Sequence, residues 1–263
     1  MGGDRQFEVL LGLVAAEDAE RVRARLGLAA ATPVPDHLMP QRLSGVPASV
    51  LLWMLQEDDP AINEIVFNHP AADGVIRREI ARGTPFGGAA GPLPFRGSYL
   101  AAKPATDVIG RLRGVTTKHE GDRAAGAVVT ADWPEIAAAD RAEALPGYAR
   151  WALTVRIDCP AEVRAQFGSH PKFSHRLRQA GIVDGPGEYA QAWTPARNVL
   201  RVLELGPRLF PKRMVEALDV LAPLVRQELS GNVEAWAVLA QLLPTFTGTV
   251  PELVSTCGAI AHS

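Results

Sequence analysis

Apolar residues along this chain recur at helical spacing, and strict alternation of apolar and polar positions is almost absent. From Phe7 to Leu28 they fall at Leu10, Leu11, Val14, Val22 and Leu26 among Glu17, Asp18, Glu20, Arg21, Arg23 and Arg25, which predicts one amphipathic helix or two. Pro33, Pro35, Pro40, Gly45 and Pro47 require turns, after which Ala48 to Gln56 resumes an apolar helical run. Asp59-Pro60 starts another helix, because Asp offers an acceptor to exposed amides and Pro at the first helical position loses no needed hydrogen bond. Between Gly83 and Gly97 the glycines and prolines carry no periodic apolar face and predict a linker or surface loop. The β-branched clusters Val108-Ile109, Val115-Thr116-Thr117 and Val128-Val129-Thr130 leave room for a short hairpin.

Further on, Asp132 and Glu135 have capping-box spacing ahead of an alanine-rich helix over Ile136 to Leu145, which Pro146-Gly147 stops. In the last third, Thr194-Pro195 opens a helix over Ala196 to Leu205. Met214 to Leu229 follows with a break at Pro223, and Asn232 caps Val233 to Leu243. Thr249 and Glu252 form a second capping box, opening a helix through Ile260. The pattern therefore predicts an all-α chain of short helices. Its expected divisions are a helical region over 1–83, a Gly/Pro-rich linker or irregular insertion over 84–130, and a second helical region over 131–263.

Two blocks repeat about a hundred residues apart: Ile62-Asn63-Glu64-Ile65-Val66-Phe67-Asn68-His69-Pro70 after Asp59-Pro60, and Val163-Arg164-Ala165-Gln166-Phe167-Gly168-Ser169-His170-Pro171 after Asp158-Cys159-Pro160. Each is followed by a second amphipathic piece that ends in glycine, at Gly83 and Gly181. The blocks resemble leucine-rich-repeat-variant and HEAT-like helical repeats, with Arg164 at the family's arginine position and Asn63 in its place in the first copy. That resemblance implies an irregular α-solenoid, in which one unit cannot bury its face without a neighbour. A protein-binding scaffold is the function it implies.

Composition narrows the field. The chain has 263 residues, 47% hydrophobic and 21% charged, enough apolar material to fold. A net charge of −2 argues against a surface dominated by polyanion binding. Cys159 and Cys257 make no disulfide framework, and their separation matches no metal pattern. The start lacks a basic segment followed by an apolar one, and no run approaches the length that spans a bilayer, so a cytoplasmic location is expected. Lysine occurs only at 103, 118, 172 and 212, and the abundance of Arg, Ala, Gly and Pro resembles the output of a GC-rich bacterial genome.

Chemistry-bearing motifs are few. His69 and His170 are candidates for ligands or bases, but both stand where a repeat helix ends and a ring can donate to a terminal carbonyl. His170, His175 and Cys159 match no zinc spacing. Nucleophile-elbow, zincin and phosphate-loop motifs are absent, and neither cofactor nor metal is expected. Charge is distributed unevenly: residues 150–213 hold eleven basic and five acidic side chains. A cationic binding face would use Arg164, Lys172, Arg176, Arg178, Arg197 and Arg201, although a solvated face paired to the acidic remainder explains the same count. Trp193 and Trp236 are expected to fill core positions. The leading reading is a non-enzymatic helical-repeat scaffold for a protein partner. A nucleic-acid-binding solenoid using the basic face stands second, and an enzyme without recognisable motifs third.

Overall fold

The computed structural model describes residues 6–28, 43–97, 106–168 and 171–262, with backbone alone at 171–173. Among them the fold is all-α, with sixteen α-helices and no strand, consistent with an irregular α-solenoid of short helices. The chain divides at 44/45 and 183/184. A central unit spans residues 45–183, and a terminal unit joins residues 1–44 to 184–263.

In the terminal unit the first amphipathic segment is two helices, α1 (Gln6–Leu11) and α2 (Ala16–Leu26). Helix α2 stops at Gly27, whose left-handed φ of 64° is cheap without a Cβ. Most of the remainder of this unit is α12 (Pro186–Ala192), α13 (Ala196–Leu209), α14 (Pro211–Glu228), α15 (Val233–Leu242) and α16 (Val250–Ala261). Pro223 does not break α14: Met214, Ala217, Leu221 and Val225 form one buried stripe through it, so packing outweighs the single lost hydrogen bond. Asn232 and the Thr249–Glu252 capping box start α15 and α16 as the sequence predicts. Trp236 is fully buried with its indole N–H donating to Ser230 O at 2.9 Å, whereas Trp193 is half-buried against Tyr189.

The central unit begins with α3 (Ala48–Leu55), whose Val50, Leu51, Trp53, Met54 and Leu55 are all buried. Helices α4 (Pro60–Asn68) and α5 (Gly74–Ala81) follow, each capped by an aspartate, Asp59 and Asp73. The Gly/Pro-rich stretch after them is a pinned loop of this unit and not a linker between units. The Asp58 carboxylate accepts the amides of Phe86, Gly87 and Ala89 at 2.8–2.9 Å, and the Phe95 ring packs 4.6 Å from Phe67.

Helices α6 (Val108–Arg113) and α7 (Lys118–Ala127) occupy the stretch where a hairpin was conceivable. The β-branched Val115-Thr116-Thr117 is the start of α7: Thr117 caps Glu120 N–H while the Glu120 carboxylate accepts the Thr116 and Thr117 amides. Asp132 does not cap α8 (Trp133–Ala142); its carboxylate accepts the Val129 amide and closes the 3₁₀ turn Thr130–Asp132 instead. Helices α9 (Gly147–Thr154), α10 (Ala161–Gln166) and α11 (Pro171–Gln179) complete the unit.

The helices of the two repeated blocks stop at different points, and the helices that follow them finish alike. The helix of the first runs to Asn68, and His69 turns extended ahead of Pro70, as a residue before proline should. The second stops at Gln166, and its His170 lies outside the described residues. The helices that follow finish alike: Thr84 N–H reaches Glu79 O and Ile182 N–H reaches Leu177 O, around left-handed Gly83 and Gly181. Both glycines also lie against backbone, since a Cβ would sit 2.5 Å from Leu93 O and 2.8 Å from Ala48 N respectively.

Helix α7 lies close on α9 through Gly121, Ala124 and Ala125 against Ala149 and Ala152, all buried within one core with Leu112, Trp133, Ile136 and Leu153. A Cβ at Gly121 would meet the Tyr148 carbonyl oxygen at 2.6 Å, whereas one at Gly126 would meet open space. Gly121→Ala should therefore destabilise the protein by about 1–3 kcal/mol, and Gly126→Ala should stabilise it by about 0.5–1 kcal/mol, as read from urea midpoints.

The Thr116 amide and hydroxyl, with the Thr117 amide, draw the Glu120 carboxyl from 4.5 to about 2. A lowered folded-state value means that this stabilisation is present above the unfolded value and is lost as pH falls from about 4.5 to about 2. Urea unfolding of Glu120→Gln across that window should show a shallower acid loss than the parent chain.

Candidate functional site

Helix C-termini leave carbonyls without partners, and much of this protein's arginine is spent on them. Arg156 is buried, with Nη1 donating to Ala125 O at 2.5 Å and Val128 O at 2.9 Å at the end of α7. Its Nε and Nη2 hold both oxygens of Asp158, at 2.8 and 2.5 Å, and its guanidinium lies 5.2 Å from the Trp133 ring centroid. Arg78 reaches the same helix end, with Nη1 and Nη2 donating to Gly126 O and Val128 O at 3.1 and 2.8 Å. Arg77 serves α4 through Phe67 O and His69 O. Arg150 pairs with Asp140 at 2.7 Å. Burial pushes that carboxyl up, but the hydrogen bonds from Arg150, the Leu145 amide and Gln166 outweigh it and hold it below its ordinary range.

One residue expected on the binding face is spent in the same way. Arg164 is only 7% exposed, and it donates to Thr154 O at the end of α9, to Arg156 O and to Cys159 O at 3.2, 3.3 and 3.0 Å. It is a structural cap and presents no guanidinium at a surface. The other five expected residues are divided between the units. Arg197 and Arg201 stand on α13, where Arg197 is exposed near Pro244 O and Arg201 is half-buried with Nη2 3.5 Å from Ser44 O. Lys172, Arg176 and Arg178 belong to α11, where Arg176 and Arg178 are exposed and the Lys172 side chain lies outside the described residues.

Two aromatic residues that sequence reasoning passed over join Arg176. Helix α9 buries Ala149, Ala152 and Leu153, which turns Tyr148 and Trp151 together toward the other side at helical i, i+3 spacing. Tyr148 is 51% exposed, and Trp151 is half-buried with the Arg176 guanidinium carbon 4.0 Å from its ring centroid. The signal was present in Gly147-Tyr148-Ala149-Arg150-Trp151-Ala152, where alanines define the buried side and the aromatics fall off it. Arginine over indole is the favourable cation–π geometry, and the pair offers an anion a guanidinium already held in place.

The remaining candidates are absorbed by structure. His69 is buried, but its Nδ1 accepts the Ala71 amide at 3.1 Å, so in that bond the ring is an acceptor and not the expected donor. Cys159 and Cys257 are buried, and burial pushes the Cys257 thiol up to about 11, away from thiolate chemistry. Burial raises the Tyr189 hydroxyl too, against the opposing charge of Arg201. His175 is exposed on α11, and among the described residues no three His, Cys, Asp or Glu side chains gather to hold a metal ion. No described helix is long and apolar enough to cross a membrane. Compared with protein-family models, curated proteins and solved structures, the chain matches none of them.

The two classes of arginine should separate by mutation. Arg156→Ala strands Asp158 and two carbonyls in the interior and should cost about 3–5 kcal/mol, whereas Arg176→Ala removes one surface cation–π contact and should cost about 0.5–1 kcal/mol. Urea denaturation of both variants measures the difference.

Proposed function

We propose that this protein is a non-enzymatic helical scaffold that docks a protein partner on the face formed by α9 and α11 of its central unit. One observation carries the reading: Tyr148 and Trp151 share the outward side of a helix whose other side is tightly packed, and Arg176 is laid over the indole. Aromatic residues and arginine held on a rigid element are the side chains that dominate the energetics of protein interfaces. A degenerate leucine-rich-repeat-variant or HEAT-like ancestry belongs to the same proposal. Its supports are the return of Arg164 to the preceding helix end and the matching glycine stops at Gly83 and Gly181. So does a cytoplasmic, bacterial setting, which rests on sequence composition alone.

Nucleic-acid binding through α11 is the competing reading, favoured by its exposed Arg176 and Arg178. It loses ground because Arg150, Arg156 and Arg164 of the same basic segment are engaged by Asp140, Asp158 and main-chain carbonyls. Photo-cross-linking separates the readings. Benzoylphenylalanine replaces Tyr148, or, as a control in the terminal unit, the 48%-exposed Ile260, in cells of the source organism. The Tyr148 position should give a discrete protein adduct that resists nuclease, is absent from the Ile260 control, and disappears in the Trp151→Ala, Arg176→Glu background. Nucleic-acid adducts, identical adducts from both positions, or none would overturn the docking reading.

A further inference from the structure

Resting on that docking reading, we infer that the α9–α11 face takes an acidic peptide segment, with a carboxylate against Arg176 and an apolar side chain against Tyr148 and Trp151. Charge is the first argument. Residues 171–179 carry Lys172, Arg176 and Arg178 and no carboxylate, and among the described residues Arg176 forms no ion pair. That distinguishes it from Arg150 and Arg156, each already bound to an aspartate of its own unit.

Geometry is the second argument. The indole covers one side of the Arg176 guanidinium at 4.0 Å, which strips water from that side and holds the group still. Its N–H donors lie in the guanidinium plane, where a carboxylate meets two of them in parallel. Because the arginine is already ordered against Trp151, less side-chain freedom is lost when that bidentate pair forms. The half-exposed Tyr148 ring, one turn earlier than Trp151 on α9, supplies apolar area on the same side of that helix.

Size decides between a peptide and a polynucleotide. Helix α11 has nine residues, about 13 Å of axis, and three cations. The central unit as a whole carries 16 basic against 15 acidic side chains, a net of +1, and so lacks a wide field that would gather a phosphate backbone. Three phosphate contacts would leave a salt slope of at most about 3, far from the strong dependence of dedicated nucleic-acid binders. One or two carboxylates beside an apolar side chain match what this face holds.

The test is selection of a random peptide library displayed on phage against the full chain, with the Trp151→Ala, Arg176→Glu double variant as counter-selection. Enriched peptides, remade with fluorescein, are titrated by anisotropy against the parent chain and against Arg176→Glu, Arg176→Lys and Trp151→Ala. Acidic peptides with at least one apolar residue should be enriched. Their affinity should fall about tenfold or more in Arg176→Glu and Trp151→Ala, and Arg176→Lys should not restore it, because an ammonium neither stacks nor pairs through two donors. Urea midpoints for Arg176→Glu and Arg176→Lys lowered by no more than the loss of one surface cation–π contact would assign the affinity losses to the face itself.

Enrichment of uncharged or basic peptides, no enrichment, affinity indifferent to Arg176→Glu, or tighter binding of fluorescein-labelled oligothymidylate at the same residues would overturn the acidic-peptide inference. The docking reading fails separately. A Tyr148 adduct to a partner segment without acidic residues would keep docking and discard the acid, whereas absence of any protein adduct at Tyr148 would remove docking itself.

Discussion

The central unit depends on arginine side chains that close the ends of other helices. Short helices make this unavoidable: each leaves four carbonyls unpaired at its C-terminus, and in a six- to ten-residue helix that is a large share of all its polar backbone. Arg78 and Arg156 converge on the end of α7, Arg164 returns to the end of α9, and Arg77 reaches the end of α4. Lysine could not substitute, because its ammonium is a point charge, whereas the guanidinium fork spans two or three carbonyls at once and tolerates burial when paired. The terminal unit uses the same device, for example with Arg226 donating to Leu13 O after α1 at 2.9 Å. A chain with four lysines and many arginines is therefore a chain with many helix ends to satisfy, whatever its codon usage contributes.

That use of arginine governs what is left for function. Basic residues that look like a track in the sequence are drawn inward wherever a helix stops beside them, and only those on an outward helix side stay accessible. Helix α9 sorts its residues in the same way. Its small side chains allow α7 to approach through Gly121, and the larger ones that do not fit, Tyr148 and Trp151, are left on the other side with Arg176. Close packing on one side and an exposed aromatic pair on the other are two consequences of a single arrangement along eight residues.

Local signals were readable where the chemistry that starts or stops a helix lies within a few residues. Asp59-Pro60, Asn232 and Thr249–Glu252 act as their spacing predicts. The Thr117–Glu120 box carried the same signal, yet it was obscured by β-branched neighbours that read equally well as strand. Asp132 had the right spacing and caps nothing of α8, because the Val129 amide is nearer to its carboxylate. Pro223 should have broken a helix by its own preference, and four buried side chains on α14 override it. The repeat was legible in its glycines and only partly in its helix starts: the aspartate that caps the first block, Asp59, has as its counterpart Asp158, which is given over to Arg156.

The amino-acid sequence by itself determined that this protein is all-α, where several of its helices begin, and that no familiar catalytic motif is written in it, since helical periodicity and capping are properties of neighbours in the chain. Tertiary structure alone decided which residues share a unit, with 45–183 set between two segments that belong together. It also decided which arginines are buried and which meet solvent. Arg164 and Arg176 are twelve positions apart with the same side chain, and what separates them is a set of orphaned carbonyls beside one and an indole ring beside the other. Neither partner is visible to a reading along the chain, because burial and hydrogen bonding are settled by what the fold brings alongside.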